Sequence, residues 1–174
     1  MNAELQRICD RYQAELEKVD TPAAQLHPGG DPERWSIQQI VEHLMLTYRA
    51  TGTALEKRLA KGTVTRVRPT TKQLLLKTIV LGFRRMPKGI KAPEVVIPQA
   101  GAYSDCCGQE LVVRMTESLA AMDRLLNEGE KRFGTAPLQQ HFLFGPLTAN
   151  QWRRFHAIHA AHHLRQVRRA LSST

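Results

Sequence analysis

The sequence predicts an all-α fold, and three observations predict it. Apolar residues recur at steps of three and four over long segments, two of these segments open with Ser or Thr followed three residues later by Gln, and Pro- and Gly-rich loops separate them. Five helices follow in order. The first, from about Asn2 to Val19, places Leu5, Ile8, Cys9, Tyr12 and Leu16 on one face. The stretch TPAAQLHPGGDPER after it reads as loop. The second helix opens at WSIQQ, where Ser36 and Gln39 have capping-box spacing and Trp35 stands at the staple position. It runs to about Lys61, with Ile37, Ile40, Val41, Leu44, Tyr48 and Leu55 as its apolar stripe and His43 beside that stripe. A third covers Thr71 to Arg85, turns its basic flank to water and is stopped by Pro87 and Gly89. The stretch KGIKAPEVVIPQAG has three extended residues between prolines and no partner strand, so it reads as an irregular crossover. The fourth, from about Gln109 to Lys131, carries Leu111, Met115, Leu119, Met122 and Leu126 on one side. After the turn-rich GTAPLQQHFLFGP, Thr148 and Gln151 repeat the capping-box spacing and open a last helix to about Leu171.

A chain of 174 residues, 42% of them apolar, is of the size that buries one core, so 1–174 is expected to be a single domain. Three cysteines, Cys9, Cys106 and Cys107, make no disulfide framework, and MNAELQRICD lacks the apolar run of a secretory signal. A cytoplasmic location is the expectation. The longest apolar run, Leu74 to Phe83, includes Lys77 and is about half of the roughly 20 residues that span a bilayer, so no transmembrane segment is expected. Charge is uneven around its net value of +9. Lys57, Arg58, Lys61, Arg66, Arg68, Lys72, Lys77, Arg84, Arg85, Lys88 and Lys91 fall in a stretch without one acidic residue, and no acid follows Glu130. Such a field attracts anions, whether on nucleic acid, a membrane surface or a small molecule; it is equally what a solvated face looks like.

Four of the seven histidines lie in HAIHAAHHLRQ, from His156 to Gln166. His159 and His163 are four apart, which sets both on one helix face with Cβ atoms about 5–6 Å apart, close enough for two imidazoles to reach one cation at about 2.0–2.1 Å. Trp152 and Phe155 precede them on the same stripe, so the pair is expected to point inward. Isolated HxxxH pairs also occur as packing or surface histidines, and a third inward histidine is what separates the two cases. His43 supplies it. Three histidines and an open position make a reactive metal site, in which the ion lowers the pKa of a bound ligand; imidazole suits Zn, Ni, Fe and Cu alike. Protons compete for the same nitrogens, so such a site should release its metal as pH falls toward about 5.

His156 and His162, in the same string, are expected to lie outside the ligand set, as supporting or surface residues. His141 in HFLFG and His27 in LHPGG lie in loops, where a cleft-lining role competes with the favoured solvent-exposed one, and Glu42, adjacent to His43, is either a base or, as favoured, an exposed helix carboxylate. Cys9 is assigned to the core. The adjacent Cys106 and Cys107 cannot both face one ligand from a regular helix.

WSIQQIVEHL near the start, FGPLTANQW before the last helix and HAAHHLRQ within it together resemble the DinB-like four-helix-bundle superfamily, especially a small branch with an aromatic-Gly-Pro-Leu-Thr segment before the final helix. The resemblance implies a divalent metal, Zn, Ni, Mn or Fe, held by His43, His159 and His163, with Gln166 beside them; His162 and His156 remain the supporting residues assigned above. It implies a pseudo-symmetric up-down-down-up bundle, frequently a homodimer. Here that bundle would carry an additional helix and a basic loop insertion over 62–101. The superfamily includes enzymes that use low-molecular-weight thiols such as mycothiol and bacillithiol, and suspected hydrolases. The leading expectation is therefore a metal-dependent enzyme, a thiol S-transferase or hydrolase, acting on a small-molecule substrate. The alternative is a non-catalytic basic module in which Lys57 to Lys91, with Arg153, Arg154, Arg165, Arg168 and Arg169, binds nucleic acid or an anionic surface around a structural metal. Nucleic acid is the weaker partner, because Phe83 is the one aromatic side chain in the stretch.

Overall fold

The computed structural model describes residues 1–87, 89, 91–99, 101 and 103–172. Lys88, one of the eleven basic residues above, lies outside them, as do parts of the expected 62–101 insertion and the last two positions of the chain. The described chain is mostly helical: α1 (Ala3–Leu16), α2 (Thr21–Gln25), α3 (Ile37–Lys61), α4 (Thr71–Lys77), α5 (Gly108–Phe133) and α6 (Ala149–Leu171). No described helix is long and apolar enough to cross a membrane.

Local chemistry sets the ends of the long helices. Asn2 caps α1 by accepting from Glu4 N–H. Both sequence-read capping boxes form: Ser36 and Gln39 close the start of α3, Thr148 and Gln151 that of α6. Gly62, in the left-handed region at φ 66°, ends α3. The apolar faces then meet. α3 packs on α5 and α6, α1 packs on α5 and α6, and α5 touches α6. Leu5, Tyr12, Leu16, Leu44, Met45, Tyr48, Leu55, Met115, Leu119 and Phe144 are enclosed between them. Tyr12 donates its hydroxyl hydrogen to the Ala160 carbonyl at 3.0 Å, tying α1 to α6 inside the core. At the start of α5, Gly108 donates to the Val19 carbonyl at 2.8 Å, and a Cβ there would stand 2.0 Å from the Leu16 carbonyl oxygen. Glycine is required by that close approach.

The structure departs from the sequence reading in four places. The loop after α1 contains α2, which Asp20 caps through Ala23 N–H with Pro22 in its first turn, followed by a 3-10 turn at Pro28–Gly30. Five residues are too few for a periodic pattern to show. The turn-rich GTAPLQQHFLFGP holds an antiparallel hairpin, β1 (Gln139–His141) with β2 (Gly145–Leu147), whose second strand is wholly buried. The third sequence-read helix is α-helical only to Lys77; a π turn over Thr78–Gly82 follows, and Arg84 at φ 55° ends it. The crossover carries one 3-10 turn, Glu94–Val96, packed on α3.

Arg153 also leaves the basic surface to which the sequence assigned it. It is 4% exposed, and its guanidinium meets Asp123 at 2.8 Å, Glu130 at 2.7 Å and Asn127 at 2.7 Å. Arg168, about four turns further along α6, pairs with Glu15 at 2.6 Å.

Candidate metal centre

His43 projects from the second turn of α3, and His159 and His163 from successive turns of α6. All three are buried, and one nitrogen from each falls within 4.8 Å of the others. His159 Nε2 stands 3.3 Å from His43 Nε2 and 3.0 Å from His163 Nε2. A tetrahedral ion with metal–nitrogen bonds of about 2.0–2.1 Å holds its ligand atoms about 3.3 Å apart.

The far sides of two rings are occupied. His43 Nδ1 lies 2.7 Å from the Val96 carbonyl oxygen, and His163 Nδ1 lies 2.7 Å from Gln166 Oε1. Both partners are acceptors, so each Nδ1 carries the hydrogen and each Nε2 is left with a bare lone pair directed at His159. His159 Nε2 can donate to only one of them. Among the described residues its own Nδ1, which is buried, has no partner. Three imidazole nitrogens with at most one shared hydrogen repel one another, and a cation among them relieves that repulsion; the donor set therefore fits a divalent metal.

Burial holds the rings in the ligating, uncharged form. Desolvation lowers the pKa of His43 against the opposing Val96 hydrogen bond. It lowers His163 to about 3, with His43 adding repulsion, and puts His159 well below the ordinary range, with His163 and His43 adding repulsion.

Residues 9–170 match the family described as "Protein of unknown function (DUF1569)". The chain belongs to this family. No curated protein and no solved structure matches it. Every residue of the cluster and of its hydrogen-bonded partners lies inside the DUF1569 span.

In this DUF1569 chain the histidines open onto a cavity of about 990 Å³. Trp35, Trp152, Phe155, Phe142 and Leu143 line it, and the segment between α4 and α5 adds Met86, Pro87, Pro93, Val95 and Ile97. Among the described residues, Glu33 and Lys91 are its only lining residues with a carboxylate or a primary amine. Trp35, half-buried, stands over His43 and His163 with centroids at 5.0 and 6.4 Å; Phe155 stacks on His159 at 5.4 Å. These rings pack against the imidazole faces and cover part of each.

The favoured exposed readings of His141 and Glu42 are corrected. His141 is 6% exposed: the hairpin folds it against Phe144, Phe155 and Trp152, and its Nδ1 accepts from Leu143 N–H at 3.1 Å. His141 also lines the cavity. His156, expected as a supporting or surface residue, is fully buried between Tyr48 and Trp152, and among the described residues neither ring nitrogen has a hydrogen-bond partner. Glu42 is buried and accepts from Gln38 Nε2 at 2.8 Å, and burial raises its pKa. His162 is half-exposed, lines the cavity, packs edge-on against His163 and faces Arg165 at 3.4 Å. His27 hydrogen-bonds the Arg34 carbonyl at 2.7 Å, away from the cluster. Cys9 and Cys106 are buried, Cys107 is half-buried, and none belongs to the histidine group.

Sequence reasoning missed the Val96 carbonyl. It is a main-chain atom, so no side-chain pattern could signal it.

Proposed function

We propose that this chain is a metal-dependent enzyme of the DinB-like superfamily, with His43, His159 and His163 holding one divalent ion through Nε2, and that it acts as a thiol S-transferase or hydrolase on a small molecule. The observation that carries this reading is the convergence of the three Nε2 atoms, with two of the rings held from behind by acceptors. In the same proposal α1, α3, α5 and α6 are the four-helix bundle, and α4 and the 62–101 segment are the added helix and basic insertion.

When bound, a divalent ion on three histidines supplies Lewis acidity and lowers the pKa of a thiol or water in its remaining position. The chain's residues do the rest. The Val96 carbonyl and the Gln166 amide oxygen hold the Nδ1 hydrogens, which aims Nε2 and raises its basicity. Trp35 and Phe155 pack against the imidazole faces, and the apolar walls bind the substrate body. His141, whose Nδ1 accepts from Leu143, carries its hydrogen on Nε2 and can donate it to a substrate oxygen or sulfur. The cavity beside the histidines favours a reactive over a purely structural ion, because a structural site is closed on all sides.

The test is elemental mass spectrometry on untagged protein purified without chelator, beside His43→Ala and His159→Ala. About one equivalent of divalent metal in the wild type, lost in both variants, is expected, and thiol-transfer and hydrolysis screens follow. No metal after incubation with Zn, Ni, Mn and Fe would sink the reading.

A further inference from the structure

The segment from Thr71 to Phe83 has two faces. On the inner face Val80 and Leu81 are buried, the π turn packs on α6, and Leu76 lies against the core. On the outer face Leu75, Ile79 and Phe83 recur at steps of four and are 61%, 37% and 78% exposed, with Leu74 at 45% beside them. An α turn takes 3.6 residues and a π turn more, so steps of four stay aligned across the junction at Thr78. Single exposed apolar residues are ordinary, but a row of four on one face marks a contact surface.

The charge around the row narrows the partner. Lys72 lies three residues before Leu75 and so beside it, and Arg84 and Arg85 follow Phe83 directly. Arg66 and Arg68 are exposed on the approach. Arg84 also reaches Glu4 at 2.6 Å, and from Lys57 to Lys91 the chain carries no acid. A second copy docked through the same face would oppose cations to cations. Nucleic acid would satisfy the cations but not Leu74, Leu75 and Ile79, which offer no π face for a base. An anionic bilayer satisfies both, because headgroups meet Lys and Arg while the upper acyl region takes Leu, Ile and Phe.

We propose that Leu74, Leu75, Ile79 and Phe83, bordered by Lys72, Arg84 and Arg85, dock this chain on an anionic membrane surface. The segment lies in the interface plane and does not cross. Met86 and Pro87, three and four residues beyond Phe83, line the large cavity, so its wall sits within about 14 Å of chain from the docked surface. The docking argument uses neither the histidines nor any metal, so it stands or falls separately from the enzyme reading.

The test is co-sedimentation of the full chain with vesicles of phosphatidylcholine alone or with phosphatidylserine added, at low and high salt. The variants are Leu75→Ser with Phe83→Ser, and Lys72→Gln with Arg85→Gln; all four side chains are exposed, and circular dichroism checks that the fold persists. Binding to phosphatidylserine vesicles is expected, at least about tenfold weaker on phosphatidylcholine, in high salt and in either double variant. Sedimentation with neither vesicle, or undiminished binding by the serine variant, would overturn the proposal. So would light scattering that shows a dimer split by the serine substitutions, or nucleic-acid binding that the same substitutions abolish.

Discussion

Acid should weaken this fold through His141 before it protonates most carboxylates. The ring is 6% exposed, enclosed by Phe144, Phe155 and Trp152, and burial lowers its pKa to about 3. An unfolded histidine titrates near 6.5, so between that value and about 3 the unfolded chain binds a proton that the folded chain refuses. Stability is therefore complete above about 6.5 and falls as pH drops, by about 1.4 kcal/mol per unit. From pH 7 to pH 5 this one residue removes about 2 kcal/mol. His156, fully buried and also lowered to about 3, removes a similar amount. Together they take a large share of a stability of about 5–15 kcal/mol. Urea unfolding at both pH values, followed by tryptophan fluorescence in chelator, measures the loss in wild type and His141→Phe. The variant keeps an aromatic ring in the cage and gives up the Leu143 hydrogen bond, so its stability at pH 7 changes modestly. Its loss between the two pH values should be smaller than the wild type's by about 2 kcal/mol. The other histidines act in both proteins and cancel in the comparison. Equal losses would refute the argument that His141 is held neutral by burial.

Two further outcomes follow from side chains with buried partners. Gln166→Ala removes the acceptor behind His163, and metal affinity measured by competition with a chromophoric chelator should fall about 10–100-fold with the fold intact. Arg153→Ala leaves Asp123, itself 1% exposed, without its guanidinium, and chemical denaturation should register a loss of about 3–5 kcal/mol; a loss under about 1 kcal/mol would mean that water replaces the pair.

The helical class and the clustering of His43, His159 and His163 were legible because both depend on local periodicity. A four-residue step sets two imidazoles on one face, and a position bordering an apolar stripe turns the third toward a neighbour. What the sequence hid depends on distant partners. Arg153 looks like a surface cation until α5 brings Asp123 and Glu130 to it across 30 and 23 residues of chain. Glu42 looks exposed until Gln38 turns in beside it. His141 sits in a glycine- and phenylalanine-bearing turn that has no helical period, and only the hairpin's packing onto α6 buries it. The crossover looked expendable, although its backbone meets His43.

That last contact makes two equilibria one. The Val96 carbonyl belongs to a segment with a single 3-10 turn of regular structure, yet it decides which nitrogen of His43 carries the hydrogen. When 91–98 moves away, the ring loses the acceptor that holds its tautomer; when the ring is locked from the Nε2 side, the carbonyl has a fixed donor to return to. Linkage is reciprocal: whatever free energy binding at the histidines adds to the Val96 contact, that contact returns to binding at the histidines. The segment that carries Val95, Val96 and Ile97 thus joins the wall of the cavity to the imidazoles.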